Sequence, residues 1–164
     1  MNCGLRISEI VGLNLSDIKG DSLRVLGKGN KTRIVYLNDA CMQAIETYLN
    51  ERKLIAAIDK NALFLSNRRK RMSTDAVHAM VKKTLKAAGL DPSKYSSHKL
   101  RHTAATLMLS NGVDVRTLQE VLGHDNLNTT QIYTHVDNTE LRIAAASNPL
   151  ASFTPNLHNE TDDE

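Results

Sequence analysis

Apolar residues recur at helical spacing along most of the chain and alternate with polar residues in one short region. Helices are expected to begin near residues 7, 39, 74, 97, 115, 127 and 138. Leu23 and Val25 alternate with polar neighbours before the glycine-rich loop of residues 27–31, and an apolar run follows at residues 34–37. Two such runs around a short loop predict a β-hairpin, and a third short strand is expected at residues 62–65. The pattern therefore predicts a mainly α fold with a small antiparallel β-sheet, which is an α+β domain.

Polar caps and glycines mark the expected helix ends. Asn38 and Asp114 are suited to accept hydrogen bonds from the first turn of the helix that follows each of them. Either Ser73 or Thr74 caps the next helix after Asn38, and either Ser96 or Ser97 caps the one after that. Gly89 and Gly123 are suited to end helices, because glycine adopts the left-handed conformation without a steric penalty.

Charge is unevenly distributed along the chain. The 164 residues include 21 Lys and Arg and 18 Asp and Glu, which gives a net charge of +3. Because residues 150–164 hold four acidic residues and no basic one, residues 1–149 retain 14 acidic residues and carry a net charge of +7. A basic body is compatible with a polyanionic partner. We expect residues 1–149 to form one domain and residues 150–164 to form a flexible acidic tail.

Composition excludes several protein classes. Hydrophobic residues make up 41% of the chain and charged residues 24%, which is ordinary for a globular protein and excludes a disordered or fibrous chain. No apolar run approaches the ~20 residues that span a bilayer, and the first residues show no secretory signal. Two cysteines cannot form a disulfide framework, so the expected location is cytoplasmic.

Three polar side chains have positions suited to binding a phosphate. His98 and Arg101 lie three residues apart near the start of a predicted helix, so they are neighbours on its surface, and a helix N-terminus already attracts anions. Lys28 lies between two glycines at the hairpin tip, from where it can reach into a groove. Each also has an ordinary interpretation as a solvated surface charge, so none decides the function alone.

Three more residues indicate a function only when they are considered together with the others. His124 follows the predicted helix end at Gly123, where an imidazole is ordinarily a partner of the helix dipole. Tyr133 lies on a later helix and would ordinarily be a half-buried core residue. Arg6 would ordinarily be a surface residue.

In chain order these residues belong to five motifs: GLRISE at 4–9, GKGNK at 27–31, HKLRH at 98–102, LGH at 122–124 and TTQIYTH at 129–135. The series resembles the tyrosine site-specific recombinases of the phage-type integrase family, above all their Xer-type and transposon-integrase branch. Five motifs in the right order and spacing make accidental agreement improbable, although each one alone is weak. The resemblance implies the catalytic-domain fold of enzymes that break and rejoin DNA.

The resemblance also implies a role for each side chain. Tyr133 would attack the scissile phosphodiester, which leaves a 3′-phosphotyrosine and a free 5′-hydroxyl. Arg6 and Arg101 would hold the non-bridging oxygens of the phosphate. His124 would donate a hydrogen bond to the same phosphate, and Lys28 would protonate the leaving 5′-oxygen.

Two further residues would assist this chemistry. His98 would act as a proton acceptor or hydrogen-bond partner, and Glu9, one turn after Arg6, would orient the active-site side chains. The phosphotyrosine conserves the energy of the broken bond, so strand exchange and religation need no ATP. Phosphoryl transfer depends mainly on positioning and charge stabilisation, and no acidic cluster indicates a bound metal. The expected reaction therefore uses no cofactor.

The implied partner is double-stranded DNA, with no membrane and no small-molecule substrate. Four more basic residues are expected to contact DNA phosphates: Lys31, Arg33, Lys99 and Arg116. The C-terminal segment would couple protomers in a homo- or hetero-tetramer on DNA. The helix at about residues 138–146 would either make that contact or fold back on its own core. Because family members carry further N-terminal helices, we expect the catalytic domain to be truncated at its N-terminus.

Three other functions are alternatives to a recombinase. A non-catalytic DNA-binding module would use residues 114–135 as a helix-turn-helix, but leaves the placement of Arg6, Lys28 and Arg101 unexplained. A type IB topoisomerase would use the same chemistry to relax a single duplex. A zinc site at His98 and His102 lacks a cysteine pair or glutamate, and Arg101 between them would repel the cation.

Overall fold

The computed structural model describes residues 3–123 and 138–148, except the side chains of Lys28, Asn138 and Glu140. In chain order the elements are α1 (Ile7–Gly12), β1 (Ile18–Lys19), β2 (Ser22–Leu26), β3 (Thr32–Tyr36), α2 (Asp39–Arg52), α3 (Thr74–Ala87), α4 (Ser97–Ser110), α5 (Val115–Leu122) and α6 (Asn138–Ala146). The fold is therefore mainly α with one small sheet, as the sequence pattern predicted. The expected helix at about residues 127–135 and the acidic tail lie outside the described residues.

The sheet is a three-stranded antiparallel meander in the order β1-β2-β3. The predicted hairpin is confirmed, with the loop of residues 27–31 connecting β2 to β3, whereas the two-residue strand β1 was not expected. In the hairpin Val25 pairs with Arg33, and Leu23 pairs with Val35. Since paired residues share a face and strands alternate with a period of two, Arg33 lies on the same face as the buried residues Val25 and Val35.

The expected third strand at residues 62–65 is wrong. This segment forms only isolated bridges, which pair Asn14 with Ala62 and Leu65 with Arg71. Two of its carbonyl groups accept hydrogen bonds from a side chain, because the buried Arg52 guanidinium donates to the carbonyls of Ala62 and Leu63. The apolar run at residues 62–65, whose pattern predicts a strand, is therefore an irregular segment that Arg52 holds in place.

The predicted helix caps are largely confirmed. The Asn38 side chain accepts from the amide of Cys41, and the Asp114 side chain accepts from two amides of α5. Ser73 and Ser96, the first member of each serine or threonine alternative, cap α3 and α4. Gly123 ends α5 in the left-handed conformation, with φ of +63°. These local interactions fix the ends of the helices that carry the candidate site.

Two apolar clusters form the core of the described residues. One packs α2 against the sheet, with the buried residues Leu13, Leu23, Val25, Val35, Leu37 and Leu63. The other packs α4, α5 and α6 together, with the buried residues Ala105, Met108, Val113, Leu118, Val121, Leu122 and Ala144. The start of α1, the strand β3 and the end of α5 meet where these two halves of the core adjoin.

Helix α6 packs against its own core. Ala144 is buried and Leu141 packs on the cluster of α4 and α5, and the Asn38 side chain donates to the carbonyl of Ala145. Arg142 stacks over the Tyr36 ring at 4.5 Å and pairs with Asp21. Of the two arrangements that the sequence left open for this helix, the structure shows the one that folds back.

Candidate active site

The first motif is held together by a buried carboxylate. Glu9 lies on α1, and its side chain is only 3% exposed. One carboxylate oxygen accepts from the Arg6 backbone amide at 2.8 Å, and the other accepts from Arg6 Nη1 at 3.0 Å. Arg6 is thus fixed at the helix start both by its backbone and by its side chain, as expected of a positioning role for Glu9.

The same carboxylate binds a second arginine from the sheet. Arg33 Nη1 and Nη2 donate to the two oxygens of Glu9, at 2.8 and 3.0 Å. This two-pronged contact is the strong geometry of an arginine–carboxylate pair. The sequence predicted Arg33 as a DNA phosphate contact, and the structure places its side chain, which is 15% exposed, within this cluster. The sequence carried one signal for this, namely that Arg33 precedes Val35 by two residues on the same strand face.

Three arginines converge on the C-terminal end of α5, whose last carbonyl groups have no helical partner. Arg33 Nε donates to the carbonyl of Val121 at 3.2 Å. Arg6 donates to the carbonyls of Leu122, at 3.3 Å, and Gly123, at 2.9 Å. Arg101 on α4 donates to Leu122 and to Gly4. The helix dipole favours cations at this end, so the contacts join α1, β3 and α4 to the end of α5.

Two glycines permit this close approach. A Cβ atom at Gly123 would lie 2.8 Å from Arg33 Nη1, and one at Gly4 would lie 2.6 Å from Leu122 Cδ2. Both glycines also have positive φ, +63° and +56°, a conformation that side chains disfavour. The sequence marked Gly123 only as a helix stop. Its contact with Arg33 could not be read from the sequence because the two residues are 90 positions apart.

The site has more positive charge than its carboxylate neutralises. Arg6, Arg33 and Arg101 share Glu9, and the Arg101 guanidinium is 4.0 Å from it. Burial, followed by repulsion from Arg6, lowers the pKa of Arg101 to about 10. Arg101 therefore stays charged at neutral pH, although burial and the Arg6 guanidinium make that charge less favourable in the folded state. An anion bound beside Arg6 and Arg101 would relieve this cost.

Glu9 remains ionised in this environment. Burial by itself would raise the pKa of Glu9, but hydrogen bonds from Arg33 and from the Arg6 amide outweigh it and lower the pKa below the usual value of 4.5. The carboxylate thus acts as a permanent negative anchor at neutral pH. Arg6, whose side chain is 34% exposed, is the member of the cluster that faces solvent most.

The hairpin tip with Lys28 adjoins this cluster. A Cβ atom at Gly27 would lie 3.5 Å from Arg33 Nη1 and 3.9 Å from Glu9 Oε1, so the residue before Lys28 lies beside the arginine–carboxylate pair. The loop closes through a hydrogen bond from the Gly27 amide to the Lys31 carbonyl at 2.8 Å. Lys28 is therefore anchored at the site through its backbone neighbour, while its side chain lies outside the described part.

The other predicted residues in the described part of the chain have exposed side chains. His98 is exposed on the first turn of α4, one turn before Arg101. Lys31 is exposed in the hairpin loop, and the exposed Lys99 donates to the Lys94 carbonyl at 2.6 Å. Arg116 is exposed at the opposite end of α5, about 9 Å along the helix axis from Leu122. His124 and Tyr133 lie outside the described residues.

Residues 3–123 and 138–148 contain neither a candidate metal cluster nor a candidate membrane-crossing helix. This part of the chain contains no group of three or more His, Cys, Asp or Glu side chains that could hold a metal ion. Each helix in the same ranges falls short of the length and apolarity that a membrane crossing requires.

Comparison with known proteins gives a consistent result. The sequence model of the phage integrase family matches residues 1–140. The tyrosine recombinase XerC of Caldanaerobacter subterraneus subsp. tengcongensis is 60% identical over 152 residues, which cover 92% of this chain and 43% of that protein. The chain therefore spans less than half the length of this curated relative.

Solved structures show the same fold. The crystal structure of the XerA recombinase superposes with a TM-score of 0.70 at 40% identity, covering 86% of this chain and 51% of that one. The XerH site-specific recombinase, in a post-cleavage complex with its palindromic difH substrate, gives a TM-score of 0.65 at 32% identity. That match covers 88% of this chain and 42% of XerH. The expected fold, that of a tyrosine recombinase catalytic domain, is thus confirmed.

Proposed function

The chain belongs to the phage integrase family, and on that premise we propose that it carries the DNA-cleaving site of a site-specific tyrosine recombinase. The proposal assigns residues 1–149 to the catalytic domain and residues 150–164 to an acidic tail. Its substrate is a phosphodiester of double-stranded DNA, and its overall reaction is strand exchange between two DNA sites, as in integration, excision or dimer resolution.

The observation that carries the proposal is the excess of guanidinium charge around Glu9. Arg6 and Arg101 come from separate helices, yet both donate to the carbonyl of Leu122. Guanidinium groups suit phosphate because they are planar, permanently charged and able to make two-pronged contacts. A phosphate beside them would gain charge stabilisation in the transition state, where its oxygens become more negative.

The proposed reaction balances without a cofactor. The Tyr133 hydroxyl oxygen forms a bond to phosphorus, and the bond from phosphorus to the 5′-oxygen breaks. Lys28 gives its proton to the leaving 5′-oxygen. The tyrosine proton passes to His98 or, where His98 acts only as a hydrogen-bond partner, to water. Because tyrosine has a pKa of about 10, its hydroxyl needs such help to react at neutral pH. Religation is the reverse, with the 5′-hydroxyl attacking the phosphotyrosine.

We extend the proposal to assembly and location. XerH is recorded with a palindromic substrate, and a palindrome presents two equivalent half-sites to two protomers. Since α6 packs on its own core, residues after Asn148 are the proposed contact to a neighbouring protomer in a DNA-bound tetramer. A chromosomal or episomal DNA substrate puts the reaction in the cytoplasm.

Covalent trapping tests the proposal. The protein is mixed with nicked duplexes that tile the DNA flanking its own gene, and adducts that resist SDS are isolated and mapped by peptide mass spectrometry. The expected adduct is on Tyr133 and is absent in Tyr133→Phe. Tyr95→Phe is the matched control, because Tyr95 is an exposed tyrosine before α4 and should leave the adduct unchanged.

The outcomes separate the competing functions. DNA binding without an adduct on any duplex contradicts cleavage and favours a binding module. An adduct with relaxation of a supercoiled plasmid, but no exchange between two duplexes, indicates a topoisomerase-like enzyme. An adduct that persists in Tyr133→Phe shows that the nucleophile is assigned wrongly.

A further inference from the structure

All three nitrogens of the Arg33 guanidinium donate hydrogen bonds inside the protein. Its two terminal nitrogens donate to the two oxygens of Glu9, and Nε donates to the carbonyl of Val121. Arg6 differs because it is more than twice as exposed and makes only one side-chain contact with Glu9. The geometry of Arg33 therefore suits holding other groups in place, and it does not suit binding a DNA phosphate.

The guanidinium of Arg33 also packs against two glycines that are far apart in sequence. A Cβ atom at Gly27 would lie 3.5 Å from Nη1, and a Cβ atom at Gly123 would lie 2.8 to 3.1 Å from Nη1, Cζ and Nε. Gly27 directly precedes Lys28, and Gly123 directly precedes His124. The Arg33 side chain thus lies beside the residue that precedes the proposed general acid and beside the residue that precedes the proposed histidine donor. It also binds the carboxylate that fixes Arg6.

We propose that Arg33 is a positioning residue, which holds the Lys28 hairpin and the end of α5 at Gly123 in register with Arg6 and Glu9. This inference rests on the function proposed above. Without the Arg33 guanidinium, the hairpin tip loses its contact with the α1 start, and the Lys28 amine is no longer held near the leaving oxygen. The main consequence is impaired proton donation, while the phosphate contacts of Arg6 and Arg101 persist.

A pair of DNA substrates distinguishes loss of general-acid positioning from disruption of the whole active site. One is the nicked duplex that gives the Tyr133 adduct, and the other carries sulfur in place of the bridging 5′-oxygen at the scissile phosphate. Sulfur leaves as a thiolate and needs no proton from Lys28. Because general acid catalysis contributes about 100-fold or more, we expect Arg33→Met to slow cleavage of the ordinary duplex about 100-fold. Most of that loss should be recovered with sulfur, as in Lys28→Ala.

Two variants serve as controls. Arg24→Met removes another strand arginine that pairs with a carboxylate, since Arg24 contacts Asp17 at 2.9 Å on the same hairpin, and it should cleave both duplexes at the parent rate. Arg33→Lys keeps the charge but loses the two-pronged contact, so it should recover only a small part of the rate. Equal slowing on both duplexes by Arg33→Met, or none, overturns the positioning role.

Hydrogen exchange tests the same holding action without catalysis. In Arg33→Met the amide of Gly27, which bonds to the Lys31 carbonyl, and the amides at the end of α5 should exchange faster than in Arg24→Met. Unchanged exchange at both places contradicts the inference even if the protein cleaves DNA. Faster exchange in a protein that forms no adduct on any duplex supports the holding action and contradicts the proposed function, so the two failures are distinguishable.

Discussion

Two groups of arginines in this molecule donate hydrogen bonds to backbone carbonyls. The two groups differ in how carboxylates balance their positive charge. Arg52 is buried and donates to the carbonyls of Lys60, Ala62 and Leu63. Arg71 donates to the carbonyls of Val11 and Leu13 and pairs with Asp59 at 3.1 Å. These two arginines hold the irregular segment between α2 and α3 against the end of α1, and neither shares a carboxylate with another arginine in the described ion pairs.

The second group, around Glu9, has the same kind of hydrogen bonds and a different charge balance. Three guanidiniums share one carboxylate, and the pKa of Arg101 falls to about 10 because of burial and the repulsion from Arg6. In both groups, therefore, arginine has the structural role of donating hydrogen bonds to backbone carbonyls. The group around Glu9 concentrates three guanidiniums on one carboxylate, whereas Arg52 and Arg71 lie apart from other arginines in the described ion pairs. We propose that this concentration of positive charge forms the anion site.

The largest expected effect is on cleavage. Arg101→Gln should reduce the rate of adduct formation about 1000-fold, because a phosphate contact that strengthens in the transition state is lost. Its free energy of unfolding should fall by no more than about 1 kcal/mol, since the folded state already disfavours the charge that is removed. Single-turnover trapping and urea unfolding measure the two quantities. A large stability loss would put Arg101 in the same class as Arg52.

Arg52→Gln should show the opposite behaviour. Hydrogen bonds to three carbonyls are broken, and charged donors make the stronger bonds, so we expect a loss of about 3 kcal/mol in the free energy of unfolding. Cleavage per folded molecule should be unchanged at a temperature well below the unfolding midpoint. A slower adduct rate in the folded fraction would show that the loop segment contributes to the site.

A smaller effect is expected from anions. Inorganic phosphate at about ten times its Kd should stabilise the fold by about 1.4 kcal/mol through binding beside Arg6 and Arg101. Calorimetry at constant ionic strength, with chloride as the reference anion, measures the shift in Tm. Arg6→Gln should lose the shift and Arg71→Gln should keep it. An equal shift in all three proteins would indicate a general salt effect.

The smallest expected effect is the change in the free energy of unfolding in acid. The folded pKa of Glu9 is lowered from 4.5, so its ion pairs stabilise the fold fully above that pH and lose this contribution as pH falls through the folded pKa. Glu9→Gln should be less stable than the parent at neutral pH, and the difference should shrink in acid below 4.5. Urea unfolding across this range checks the sign. A difference that grows in acid would contradict the pKa direction.

Local features of the fold could be predicted because their causes are local. The Asn38 and Asp114 caps depend on a side chain and amides two or three residues away, and the hairpin depends on alternation around a glycine-rich loop. The strand at residues 62–65 was wrong because its partner is the distant side chain of Arg52. Arg33 was interpreted as a DNA contact because its charge is visible in the sequence, whereas its pairing with Glu9 is not.

By itself the sequence determined the helices, the hairpin and the series of motifs, since these depend on spacing along the chain. Tertiary structure alone decided which arginines share a carboxylate and which stand singly. Arg6, Arg52 and Arg101 are the same residue type, each able to donate to backbone carbonyls. Their electrostatic roles separate only when folding brings three guanidiniums and one buried carboxylate to the end of α5, because Coulomb interactions depend on distance and burial and not on order in the chain.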